Sequence, residues 1–168
     1  MIAELISADQ YLHTSFEHDA EFVEGRIVER PLPTWEHSRV QEYLIRALYE
    51  PARQLGYFAG AEVRVQLKPD RFRVPDITVV TEKPAGTFGR RIITEAPYLC
   101  IEILSPEDSA ADTLSKVAEY LAFGVKWVWV IDPMNCGGQI HNALQVFTVS
   151  NKVFTAGQIS VDLSAVEF

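Results

Sequence analysis

Cysteine is scarce in this sequence: Cys100 and Cys136 are the two it has. Their spacing matches no metal-binding pattern, and two cysteines cannot build a disulfide framework. Cys100 lies in an apolar run and reads as core, whereas Cys136 lies in a glycine-containing loop and reads as exposed. A reduced, cytoplasmic setting is expected. Long apolar runs are missing too. None approaches the roughly 20 residues that cross a bilayer, so no membrane partner is expected. The first stretch, MIAELISADQYLHTSFEHDAEF, has neither a basic segment nor an uninterrupted apolar core, which makes it a poor secretion signal. Repeats, low-complexity tracts and interdomain linkers are likewise missing. Basic blocks are absent as well. Lys and Arg number 15 against 23 Asp and Glu, for a net charge of -8. Proteins that hold nucleic acid mainly through its phosphates tend to be basic. The densest cationic stretches, Lys68 to Arg73 and Lys83 to Arg91, read as solvated loops.

What is present is ordinary globular composition, 48% hydrophobic and 23% charged. A length of 168 residues fits a single domain over 1–168 with one sizeable core. Residues 7 to 15 form a short helix capped by Ser7, with Ala8, Tyr11 and Leu12 on one face. EFVEGRIVER reads as a hairpin turning at Glu24-Gly25. Pro31 and Pro33 interrupt the chain. Thr34 caps a long helix in which Val40, Leu44, Ala47 and Leu48 recur at helical spacing, Pro51 kinks or ends its first segment, and Gly56 closes the region.

YFAGAEVRVQL alternates as one strand, KPDRFR is a turn, and VPDITVV is a short strand. Residues 81 to 97 read as a long surface loop. YLCIEIL is the most apolar strand. SPEDSAAD feeds a helix, capped by Ser109 or Asp112, that stops at Gly124. VKWVWVID follows as a second buried strand. NCGGQ is a turn, and IHNALQVFTVS with KVFTA forms a closing hairpin around Ser150-Asn151. Strand, helix, strand predicts that YLCIEIL and VKWVWVID are parallel neighbours in a mixed sheet.

Three residues invite chemistry. Alternation along YLCIEIL puts Cys100, Glu102 and Leu104 on one face. A carboxylate between two apolar neighbours has no local partner, and an unpaired buried charge costs several kcal/mol. Glu102 is therefore paired from elsewhere in the fold, or else lies on a half-exposed edge strand. Asp76 heads the strand VPDITVV. Alone it reads as a turn aspartate, but two carboxylates converging from adjacent strands make a hard-oxygen site suited to Mg²⁺ or Mn²⁺. On the following helix Leu114, Val117, Ala118 and Leu121 share the apolar face. Lys116 and Tyr120 lie one above the other on its border. From there Lys116 reaches either the strand end beside it or Asp112 one turn back.

The order VPDITVV, then YLCIEILSPEDSAADTLSK, then EYLAFGVKWVWVIDP resembles the Uma-two family, long labelled a domain of unknown function and placed in the PD-(D/E)XK nuclease superfamily. The resemblance starts at AEFVEGRIVER, continues through PTWEHSRVQEYL and ends at the Asp132-Pro133 step. It implies an α/β, restriction-endonuclease-like mixed β-sheet flanked by helices, with an added N-terminal hairpin. Asp76 and Glu102 match the two acidic half-motifs. The superfamily's usual lysine, two residues after the Glu, is here Leu104. That departure is shared by the family, and Lys116 matches the position that takes over. Glu21, His37, Asp112 and Tyr120 match further family positions as candidate accessory residues, His37 reading either as a helix-face core histidine or as a site residue, while Trp127, Trp129 and Asp132 read as structural.

The resemblance further implies an endonuclease. Asp76, Glu102 and the backbone carbonyl of Ile103 would hold Mg²⁺ or Mn²⁺, and Lys116 would orient water or neutralise developing charge. Nucleic acid, DNA rather than RNA, would be the partner. A homodimer presenting a shared basic groove would reconcile that with the acidic charge. The competing reading is a catalytically silent module of the same fold that acts through protein–protein interaction. A hydrolase built on Cys136 or Cys100 with His37 or His141 has only isolated residues behind it.

Overall fold

The computed structural model describes residues 5–16, 20–84, 86 and 91–168. The start of the chain and the middle of the cationic stretch 83–91 therefore lie outside the described residues. Helix α1 (Ala8–His13) opens with a capping box in which Ser7 and Gln10 satisfy each other's backbone. Its buried Tyr11 stacks on Phe22 and tilts against Phe72. Strands β1 (Ala20–Val23) and β2 (Arg26–Glu29) form the expected hairpin. Glu24 and Gly25 both have positive φ, the requirement of a two-residue type I′ turn.

Thr34 caps α2 (Trp35–Gln54), whose Val40, Leu44, Leu48 and Ala52 form a buried stripe. The helix does not end at Pro51. That residue lies in the last turn, where its missing N–H removes a single internal hydrogen bond and leaves the rest of the helix intact. Gly56, at φ +75°, then closes the helix: its own N–H reaches the Arg53 carbonyl, and the N–H of Tyr57 reaches that of Ala52.

The stretch expected as one strand is two: β3 (Phe58–Ala61) and β4 (Val65–Lys68). Glu62 takes a left-handed conformation, φ +53°, and turns the chain from one sheet into another. The expected turn over 68–73 contains β5 (Arg71–Arg73), which pairs with both β4 and β1 and buries Phe72 against Phe22. The remaining elements are β6 (Ile77–Val80), β7 (Leu99–Ile103), α3 (Ala110–Phe123), β8 (Trp127–Asp132), β9 (Gly137–His141), β10 (Val146–Val149), β11 (Val153–Ala156) and β12 (Ile159–Asp162). The closing hairpin is drawn differently from expectation. β10 pairs back on β9 through residues 142–145, and β11 pairs with β12.

The central sheet runs β10-β9-β8-β7-β6-β3, and β7 and β8 are parallel across the α3 crossover. The second sheet is β2-β1-β5-β4, so the N-terminal hairpin belongs to a four-stranded layer rather than standing alone. On one face of the central sheet the α2 stripe packs on Leu99, Ile101, Ile103, Trp129 and Ile131. On the other, Val117 and Tyr120 of α3 cover Cys100, Val128 and Val130. Leu114 and Ala118 do not join them: both are exposed, because α3 meets the sheet along the line of Val117 and Tyr120. Cys136 is also buried, contrary to expectation, where it packs into the α2-side core. No helix among the described residues is long and apolar enough to cross a membrane.

Candidate active site

The site forms where β6 begins and β7 ends. The register Ile77 to Ile101 puts Asp76 beside Glu102 one step further along. Both are buried, so Glu102 does not lie on a half-exposed edge. Asp76 is held on every side. Its Oδ2 accepts the Ile103 N–H at 2.6 Å. Its Oδ1 accepts from the Arg30 guanidinium and lies 3.2 Å from His37 Nε2. Burial pushes the Asp76 carboxyl up, but His37, Arg30 and the Ile103 N–H outweigh it and hold it below its ordinary range. An extended residue turns its N–H and C=O to the same edge, so the Ile103 carbonyl belongs to the edge that faces Asp76.

Glu102 is shared by two residues of α3. The Tyr120 hydroxyl donates to Oε1 at 2.5 Å, and Lys116 Nζ stands 3.4 Å from Oε2. Burial pushes the Glu102 carboxyl up. Lys116 opposes that, and the negative charges of Asp76 and Glu21 add to it, leaving the group at about 7. Burial lowers the Lys116 ammonium, but Glu102 and Glu21 reverse the sign and keep it above its ordinary value. Glu21, on β1, is the third buried carboxylate. It lies 3.3 Å from Lys116 Nζ, accepts the Val74 N–H, and accepts from Arg73 at 2.7 Å. Arg73 also forms a bidentate pair with Glu119 of α3, bonded to both its oxygens.

The structure thus brings Asp76, Glu102, Lys116 and His37 to one cavity of about 110 Å³, which Ile103 also lines. Glu21 backs it through Lys116, and Tyr120 through Glu102. Asp112 does not join them. It is exposed at the start of α3, where its carboxylate and N–H both engage the capping Ser109. His37 Nδ1 is buried and has no hydrogen-bond partner among the described residues. Three participants escape sequence reading: Arg30, Arg73 and Glu119. Their partners lie 46 to 52 residues away in the chain, and no local pattern marks them.

The donor set suits a hard divalent ion in kind: carboxylate and carbonyl oxygens at 76, 102 and 103 around one cavity. Among the described residues no three His, Cys, Asp or Glu side chains form a cage that could hold the ion alone. Mg²⁺ centres ordinarily keep several waters and substrate oxygens, so two carboxylates and a carbonyl are a sufficient protein share. Asp76 is at present satisfied by Arg30, which has to withdraw for an ion to bind there.

A mixed sheet between two helices, with paired carboxylates at adjoining strand ends, is a nuclease-like α/β fold. It is similar to a crystal structure from Anabaena variabilis described as "a putative nuclease belonging to DUF820": the TM-score is 0.78 at 25% identity over 94% of each chain. The model of the Uma-two family, described as "Putative restriction endonuclease", matches residues 8–155. The chain belongs to that family. No protein of curated function matches it in sequence.

Proposed function

We propose that the protein is a divalent-metal-dependent endonuclease that hydrolyses phosphodiester bonds in DNA, in preference to RNA, and works as a homodimer. The observation that carries this reading is the meeting of Asp76, Glu102 and Lys116, distant in sequence, at one cavity. Asp76, Glu102 and the Ile103 carbonyl would hold Mg²⁺ or Mn²⁺. Such an ion, once bound, lowers the pKa of water and stabilises charge on a phosphate.

The chain's own groups supply the rest. The Ile103 N–H and His37 fix the orientation of Asp76. Tyr120 fixes that of Glu102 and leaves its second oxygen on the Lys116 side. Lys116 carries a full positive charge at the cavity wall, placed to orient a water or to offset negative charge growing on phosphate oxygens.

A second reading rests on Arg30. Its guanidinium already neutralises Asp76, so the same residues also make a closed ion network without an ion, suited to a silent module that binds other proteins. Incubation of single- and double-stranded DNA with Mn²⁺ or Mg²⁺ separates the two. Cleavage by the wild type and none by Lys116→Ala supports the nuclease. No cleavage, together with no metal effect on melting, supports the silent module.

A further inference from the structure

The row of residues that starts at Asp76 and Glu102 does not stop there. Glu102 pairs with Val130, Val130 with Gln139, and Gln139 with Thr148, across β7, β8, β9 and β10. Directly opposed residues in neighbouring strands share a face. The carboxylate site therefore continues along one line into a groove on the α3 side of the sheet. The groove measures about 740 Å³, and it shares Ser105 and Asp108 with the carboxylate cavity. Gln139 lies two strand spacings from Glu102, roughly 10 Å.

The chemistry of the groove is selective. Among the described residues its lining contains no Lys, Arg or His. Its two acids are already engaged, Asp132 with the Met134 N–H and Asn135 and Asp108 with the Ser105 N–H, and both repel phosphate. A nucleic-acid backbone is thus excluded, while a flat neutral ring is admitted. Leu104 and Leu114 supply apolar wall, which accounts for the exposure of Leu114 on α3. Gln139 is exposed, and its Oε1 is fixed by His141 Nε2 at 3.0 Å. Among the described residues nothing accepts a hydrogen bond from its amide nitrogen.

Resting on the nuclease reading, we infer that this groove receives one unpaired nucleobase next to the scissile phosphate and that Gln139 reads that base. The substrate class follows. Unpairing a base from a duplex costs a few kcal/mol, so single-stranded or locally unpaired DNA is cut in preference to perfect duplex. A net charge of -8, which weakens binding that relies on many phosphate contacts, is consistent with that class.

The test is to sequence the ends produced from a randomised single-stranded oligonucleotide pool by the wild type, Gln139→Ala and Gln139→Glu. The wild type should show a base preference of about tenfold at a position adjoining the cut, the scale of a side-chain amide bonded to a base edge. Gln139→Ala should flatten it. Gln139→Glu should move it toward cytosine, whose amino group suits an acceptor. An unchanged preferred base in Gln139→Glu overturns the inference, as does a wild type with no preference beside the cut.

Binding of a single strand carrying 2-aminopurine, followed by its fluorescence, separates this inference from the cleavage reading. A wild-type fluorescence change, with affinity at least fivefold weaker in Gln139→Ala with Leu114→Ala, supports the groove even if no strand is cut. A bound strand that shows no change overturns the groove even if DNA is cleaved.

Discussion

Lys116 and Tyr120 stand one helical turn apart on α3 and divide one carboxylate between them, the hydroxyl on Oε1 of Glu102 and the ammonium beside Oε2. Removing that carboxylate strands the buried Tyr120 hydroxyl and leaves Lys116 with Glu21 alone. Glu102→Ala should therefore cost roughly 3 kcal/mol or more. Glu102→Gln still accepts from Tyr120 and should cost clearly less. The midpoints of urea unfolding for the two variants check this. Equal, near-zero shifts would mean that the pairing contributes nothing.

The same carboxylate gives stability a pH dependence of definite sign. Its folded value of about 7 exceeds its ordinary 4.5, so between those limits the native state binds the extra proton. Its contribution is then fully present in acid and is lost as pH rises through about 7. Asp76 has the opposite sign: held below its ordinary range, it contributes stability at neutral pH that is lost in strong acid. The melting temperature of the wild type, measured relative to Glu102→Gln, should therefore fall between pH 5 and pH 8. A rising or flat difference contradicts the assignment.

Millimolar Mn²⁺ or Mg²⁺ should raise the melting temperature, because an ion that binds only the folded state stabilises it by mass action. Asp76→Asn should largely abolish the rise. Lys116→Met should keep it, since a competing positive charge has gone, yet lose cleavage. The discriminating result is that split between binding and turnover. Calorimetry that detects no ion at millimolar concentration would remove the metal from the proposal.

Arg30 competes with any ion for Asp76. In Arg30→Gln the metal-free protein should melt lower, because a buried carboxylate loses its guanidinium. The Mn²⁺-induced rise should be larger, with about tenfold tighter binding, equivalent to roughly 1.4 kcal/mol. Thermal-shift titration of both proteins measures the two effects together. An unchanged affinity would show that Arg30 and the ion do not share Asp76.

Part of this site is legible in the residues themselves, and the choice among their readings comes from the resemblance to the family. An ionisable residue inside an apolar strand has no local way to be satisfied, so Glu102 announces a distant partner. The next helix then offers Lys116 and Tyr120 one turn apart on the border of its apolar face. The parallel crossover of β7, α3 and β8 follows from two apolar strands separated by a capped helix. What stays hidden is what local pattern does not encode. Arg30 sits in a proline-rich segment without periodicity, and its partner is 46 residues on. The break at Glu62 needs a left-handed non-glycine residue, which sequence does not mark. Leu114 has the spacing of a core residue, but α3 meets the sheet along a line that leaves it out. The pairing of β10 with β9 rather than β11 depends on which turn closes, Asn142 to Gln145 or Ser150 to Lys152, and each contains an asparagine.

Glu21 and Arg73 belong to the second sheet, whereas Glu102 and Lys116 belong to the central one and its helix. Their contacts tie together segments that leave the ribosome at quite different times. While the chain is being made, the acidic residues at 21, 76 and 102 all emerge before the lysine that faces two of them. Until residue 116 is out and α3 has docked, there is no cleft to hold a phosphate. If the protein cuts nucleic acid, a nascent chain, or one truncated before α3, carries no such activity.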